Sequence, residues 1–166
     1  ARGRSGALAV MSALLALGLT GLVSLARLRR ATAEAQLRNV ELAAVPTAFS
    51  TAENLIGRAG VTAGESVLVT GASGNVGLAA VQLARRRGAR VAAVAAPDKF
   101  DSLAGLGAET LLARDDDPLV RLGPESVDVV IDVVGGPQWP RLLDVLKRRG
   151  RYAVSGAIAG PLVELD

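Results

Sequence analysis

From Ser66 to Ser155 short apolar runs alternate with segments of helical periodicity, and this alternation restricts the fold more than any other feature. Ser66–Thr70 (SVLVT), Arg90–Ala95, Glu109–Ala113, Val127–Val133 and Arg151–Ser155 read as five strands. Asn75–Arg87, closed by Gly88, Lys99–Leu106, Pro118–Leu122 and Pro137–Arg148, closed by Gly150, read as the helices between them. Strands that are apolar almost throughout are buried on both faces, and only a parallel sheet with helices above and below provides that. The expectation is a doubly wound α/β domain of strand order 3-2-1-4-5, with a sixth strand beyond Asp166.

The rest of the chain organises around that core. Residues 1–30 form a first segment in which positions 5–26 carry no charge and arginines flank both ends. That length suits a bilayer-spanning helix, and Ser24-Leu25-Ala26 resembles a signal-cleavage site. A hydrophobic helix that packs elsewhere, or sequence foreign to the domain, is the competing reading. Residues 31–60 read as a helical lead-in with a break at Pro46 and a cap at Ser50 or Thr51. Residues 61–166 are then the α/β domain, incomplete at its C-terminus, and the chain reads as a fragment.

Composition removes whole classes of chemistry. With no Cys and no His among 166 residues there are no disulfides, no thiolate or imidazole metal ligands and no Ser-His-Asp triad, so no metal site is assigned. Four aromatic residues leave Ala, Val and Leu to fill the core. The net charge of +3 suggests nucleic acid until it is located. Residues 1–30 hold Arg2, Arg4, Arg27, Arg29, Arg30 and no acid, which leaves 14 basic against 16 acidic side chains elsewhere. The α/β portion therefore offers no phosphate-backbone footprint, and no nucleic-acid partner is expected.

The chemistry lies in Val67-Leu-Val-Thr-Gly71-Ala-Ser-Gly74-Asn-Val-Gly77, where the first strand turns into the first long helix. One glycine permits the turn, one lets the backbone approach a pyrophosphate, and one lets helix and strand pack closely. The pattern reads as a Rossmann-like dinucleotide site, with a purely structural loop or a site for another nucleotide-like ligand as the competing readings. The second strand ends at Ala95, which cannot hold the ribose hydroxyls of NAD as an acidic residue would. Lys99 lies close enough to meet a 2′-phosphate, and Arg114 ends the third strand on the same side, so the charges favour NADP. Asp98 is the alternative, either as a helix cap or as the ribose partner of NAD. Loops at Gly135-Gly136-Pro137 and Gly156–Gly160 end on the same sheet edge. Ser73, Asp132, Tyr152 and Ser155 read as turn caps or backbone partners, so no catalytic residue is assigned.

As a set, several motifs resemble the medium-chain dehydrogenase/reductase superfamily over roughly residues 40–166. They are Glu41–Leu55, Arg58–Gly74, Gly88-Ala-Arg-Val, Leu106-Gly-Ala, Val127-Asp-Val-Val-Ile-Asp-Val-Val-Gly-Gly and Gly150-Arg-Tyr-Ala-Val-Ser-Gly. Quinone-oxidoreductase-like and zinc-binding alcohol dehydrogenase-like members are the most similar. The resemblance implies that Gly71, Ala72, Ser73, Gly74, Asn75 and Val76 hold the pyrophosphate. It implies Lys99 and Arg114 beside the adenosine phosphate and Thr51 near the nicotinamide, with Val134, Gly135, Ala157 and Ile158 along the rest of the cofactor. The implied activity is hydride transfer between NADPH and a carbonyl, enone or quinone, on a small-molecule substrate. The family's catalytic domain and zinc ligands have no counterpart in residues 1–40, so the chain alone is expected to be inactive. The alternative is a non-catalytic NAD(P)-binding module, with or without a membrane tether through residues 5–26. A cytoplasmic location and a homodimer of the full-length parent are further expectations. Short-chain reductases share Thr-Gly-Ala-Ser-Gly-Asn-Val-Gly but use a Tyr-x-x-x-Lys pair, whereas Tyr152 is followed four positions on by Gly156.

Overall fold

A computed structural model describes residues 27, 29, 30 and 45–160. The proposed hydrophobic helix at 5–26 and the sixth strand lie outside the described residues. The chain divides into two units, Ala1–Ala43 and Ala44–Asp166, and the sheet belongs to the second.

Strands β1 (Ser66–Val69), β2 (Arg90–Ala95), β3 (Ala108–Ala113), β4 (Val127–Asp132) and β5 (Leu146–Val154) form one sheet in the order β3-β2-β1-β4-β5. All four pairings are parallel, with Val67 opposite Val91 on one side and Val129 on the other. The expected doubly wound topology is therefore the observed one. Helix α1 covers residues 45–58, followed by α2 (Asn75–Arg86), α3 (Phe100–Gly105), α4 (Pro118–Leu122) and α5 (Trp139–Asp144).

Side chains alternate across the sheet with a period of two. Val67, Val69, Val91, Ala93, Val129 and Ile131 face a core closed by α1, α2 and Leu103 of α3. Leu68, Ala92, Val94 and Val130 face a second core with Leu112, Leu142 and Val145. Small side chains let the helices come close. Gly77 marks the tightest approach, since a Cβ there would lie 2.3 Å from the Gly71 carbonyl oxygen and 2.7 Å from Ala72 Cα. Gly60 and Gly88, both at positive φ, end α1 and α2 with paired reverse bonds: Val61 N–H to Ile56 O and Ala89 N–H to Ala84 O.

Two local expectations need correction. Helix α1 runs through Ser50 and Thr51 instead of starting there, and Thr51 Oγ1 donates to the Thr47 carbonyl at 2.9 Å. Its buried residues Ala48, Ala52, Leu55 and Ile56, with Ala59 just past its end, recur at helical spacing across that point, so one apolar stripe continues. The last helix is also shorter than expected and its strand longer. After Asp144 the carbonyls turn aside: Asp144 O accepts from Glu125 N–H, and Val145 O from Ser126 and Val127 N–H. The strand then bulges, with Lys147–Gly150 spanning what Asp128 alone covers on β4, and Arg149 at φ 66°. Lys147 Nζ pairs with Asp128 at 2.8 Å and holds the bulge to β4.

Where β1, β4 and β5 end, one buried carboxylate joins them. Asp132 is 1% exposed. Its Oδ1 accepts from Thr70 Oγ1 at 2.5 Å, Val134 N–H at 2.9 Å and Gly135 N–H at 3.0 Å, and its Oδ2 accepts from the Tyr152 hydroxyl. Burial pushes its pKa up, but the bonds from Thr70, Tyr152, Gly135 and Val134 outweigh burial and hold it below the usual carboxylate value. Burial, then the bond to Asp132 and its charge, raise the Tyr152 phenol. Glu65 and Asp128 are likewise lowered: burial opposes, and bonds to Thr62 and Arg151, and to Lys147 and Ser66, prevail.

Gly77→Ala forces backbone to move and is expected to destabilise the fold by about 1–3 kcal/mol in urea unfolding. A carboxylate with a lowered folded-state pKa contributes stability above its unfolded value and loses it as pH falls through the folded one. Urea midpoints should thus be level from neutral pH to about pH 5 and fall below about pH 4. Asp132→Asn should cost about 2–3 kcal/mol at pH 7, with the gap to wild type narrowing below pH 4; a gap constant with pH would contradict this.

Candidate functional site

The carboxyl ends of the strands gather the residues singled out in the sequence. Between β1 and β4 the topology reverses, and in open α/β sheets that crevice is where ligands bind. Gly71 opens the turn at φ 56°, and a Cβ there would lie 2.8 Å from both Val133 Cγ2 and Val134 Cγ2. Ala72 is buried and its N–H bonds to Val94 O at 3.0 Å, tying the turn to β2. Ser73 and Val76 are half-buried, while Gly74 and Asn75 are exposed. Gly74 is the N-cap of the 12-residue α2, and no side chain caps that helix. Its φ is −80°, and a Cβ there would meet only the Gly71 carbonyl at 3.4 Å, an ordinary contact.

The loops after β4 and β5 lie against each other. A Cβ on Gly135 would meet Gly156 O at 3.0 Å and Ala157 Cα at 3.3 Å, and Ala159 N–H donates to Val134 O at 3.1 Å. Glycine here is therefore demanded by the contact between the two loops. Val134 is half-buried, Ala157 is exposed, and Ile158 is 86% exposed. Val133 N–H bonds to Thr70 Oγ1 at 3.2 Å, and Ser155 N–H to the Asp132 carbonyl at 2.8 Å.

At the ends of β2 and β3 stand Lys99 and Arg114, both exposed. Lys99 closes a 3-10 turn, Pro97–Lys99, that precedes α3. Asp98 makes no cap; it pairs with Lys99 Nζ at 2.9 Å. The Lys99 hydrogen bond, against a desolvation penalty, and the charges of Lys99 and Arg114 hold Asp98 below the usual carboxylate value. The Arg114 carbonyl accepts from Gln138 Nε2 at 3.2 Å, linking this corner to the segment before α5. Thr51 lines a cleft of about 660 Å³ between α1 and β5, with Asn54, Arg58, Tyr152 and Ser155 on its walls.

The residue pattern places Asp132 and Tyr152 near this edge but does not single out Thr70, and so misses the network. A signal for it exists: Thr70 and Asp132 each follow or end an apolar strand, one step past the paired Val69 and Ile131.

A profile of the zinc-binding dehydrogenase family matches residues 75–166. A candidate alcohol dehydrogenase from Sinorhizobium meliloti has a similar solved structure (48% identity, TM-score 0.65), over 72% of this chain and 34% of that one. The spectinabilin polyketide synthase system protein NorB of Streptomyces orinoci is 40% identical over 70% of this chain and 6% of its own length. The NADPH-dependent alkenal/one oxidoreductase of Arabidopsis thaliana is 32% identical over 73% of this chain and 31% of its own. The chain thus spans about a third or less of each of these relatives. The profile covers more than half of the chain, on the same fold as the solved relative, and the chain belongs to the zinc-binding dehydrogenase family within the medium-chain dehydrogenase/reductase superfamily.

Proposed function

We propose that this chain is the nicotinamide-cofactor-binding part of a reductase that moves hydride between NADPH and a carbonyl, enone or quinone. One observation carries the reading. Gly71 and Gly77 are glycine because the fold leaves no room for a Cβ, whereas Gly74 is exposed, at negative φ and uncrowded. Its missing side chain serves neither backbone nor packing. It leaves the uncapped start of α2 open to a phosphate, where the helix dipole and free N–H groups favour negative charge.

The residues at the sheet edge fit a dinucleotide. Gly71, Ala72, Ser73, Gly74, Asn75 and Val76 would hold the pyrophosphate. Lys99 and Arg114 would meet a 2′-phosphate, and the NADPH dependence of the Arabidopsis relative supports NADP over NAD. Val134, Gly135, Ala157 and Ile158 would line the remaining length, with Thr51 toward the nicotinamide. The cofactor, when bound, supplies the hydride. The chain's own contribution is to orient it and to shield it from water. In this reading residues 61–166 are the dinucleotide-binding domain and 31–60 lead into it. The relative acting on alkenals and alkenones supports an enone or carbonyl substrate.

Zinc does not fit these residues. The sequence has neither Cys nor His, and among the described residues no three carboxylates gather. Among the described residues, too, no helix is long and apolar enough to cross a membrane.

Trp139, the single tryptophan, opens α5 beside this edge and reports on it. NADPH is expected to quench its fluorescence with a dissociation constant on the order of micromolar. Gly74→Asp should abolish quenching with the fold intact, and Lys99→Glu should weaken NADPH about tenfold while sparing NADH. Tighter binding of NADH by the wild type would overturn the choice of NADP, and binding of neither by folded protein would overturn the reading.

A further inference from the structure

Asp132 is a buried charge whose hydrogen-bond donors are all neutral: the hydroxyls of Thr70 and Tyr152 and the amides of Val134 and Gly135. An ionised carboxylate in such a place is costly unless every lone pair is used, so its donors are held in fixed positions. They come from three separate segments. Thr70 directly precedes Gly71, Val134 and Gly135 form the loop after β4, and Tyr152 belongs to β5. Thr70 Oγ1 acts twice, donating to Asp132 and accepting from Val133 N–H at 3.2 Å. The Tyr152 ring is itself held edge-on against Trp139, with centroids 5.7 Å apart and planes at 85°, and it also lines the cleft beside α1.

We propose that Asp132 is a positioning residue, whose carboxylate fixes the shape of the loop at Val133–Gly136 and its distance from the Gly71 turn, with Thr70 and Tyr152 as the two hydroxyls that hold the carboxylate in place. The loop is the part of the sheet edge that the cofactor reading sets along the dinucleotide, and the proposal rests on that reading for its consequence in binding. The geometry explains why the apolar run Val129–Ile131 of β4 ends in a charge. A neutral side chain could satisfy one or two of these donors; a carboxylate accepts all four. Neither Thr70 nor Tyr152 is among the residues assigned to the cofactor: Tyr152 acts on the loop through Asp132, and Thr70 acts through Asp132 and through its own bond to Val133 N–H.

The test uses Thr70→Val, Thr70→Ser and Tyr152→Phe in the full chain, at a temperature where circular dichroism shows each folded. Amide hydrogen exchange is read at Val134 and Gly135 and, as an internal control, along Val91–Val94 of β2. Thr70→Val and Tyr152→Phe are expected to speed exchange at Val134 and Gly135 about tenfold beyond any change in β2. They should also raise the NADPH dissociation constant about fivefold. Thr70→Ser keeps the hydroxyl and should stay within about twofold of wild type in both readouts. Should Thr70→Val not fold, Tyr152→Phe decides, because it retains the ring and removes only the donor. Exchange that rises equally in β2 and in the loop overturns the proposal, as does an unchanged NADPH affinity in both variants. A wild type that binds neither NADPH nor NADH overturns the cofactor reading instead, and the exchange comparison still decides whether the carboxylate shapes the loop.

Discussion

The approach of α2 to β1 is the constraint on which the sheet edge depends. At Gly77 the helix lies so near the turn that a single added carbon would stand 2.3 Å from the Gly71 carbonyl. That proximity fixes where α2 begins, and hence where the open backbone at Gly74 stands relative to the crevice between β1 and β4. Alanine along α2 makes the approach possible, since Ala79, Ala80 and Ala84 are each buried with little side chain to keep the layers apart. A core with few aromatics is thus suited to a thin, tightly layered sheet.

At the same edge a second constraint acts by charge. Asp132 sits where the interior would reject an ion, and it remains ionised because hydroxyl and amide donors replace water. Hydrogen bonds to one carboxylate thereby gather loops that are distant in sequence: Thr70 lies 62 residues from Asp132 and Tyr152 lies 20. The opposite end of the sheet is tied differently. Arg151 reaches the Ala59 carbonyl at 2.9 Å and both oxygens of Glu65 at 2.8 Å, and Lys147 pairs with Asp128. Those ion pairs are partly open to solvent and secure elements already placed by the core, where exposure limits what a salt bridge contributes.

Parts of this organisation are legible in the residue pattern. The parallel sheet follows from apolar runs that must be covered twice, its strand order from the doubly wound rule for such alternation, and the turn at Gly71–Gly77 from glycine spacing between a strand and a helix. Elsewhere local pattern misleads. Pro137–Arg148 has the look of a continuous helix, yet carbonyls at Asp144 and Val145 find partners in the segment before β4, and β5 starts early. Ser50 and Thr51 have the chemistry of caps, yet the buried stripe of α1 runs past them. In both cases a partner distant in sequence, or a continuous buried face, outweighs the preference of a few residues.

The parallel five-stranded architecture, the glycine-rich turn and the lack of thiol and imidazole groups are all legible in the residues, because these depend on residue type and period. That Gly71 and Gly77 are steric necessities while Gly74 is not emerges only once the chain is folded. The same holds for Asp98, which spends its charge on Lys99, and for Thr70, Asp132 and Tyr152, which form one network. Distances between segments far apart in the chain set those outcomes, and no pattern along the sequence records them.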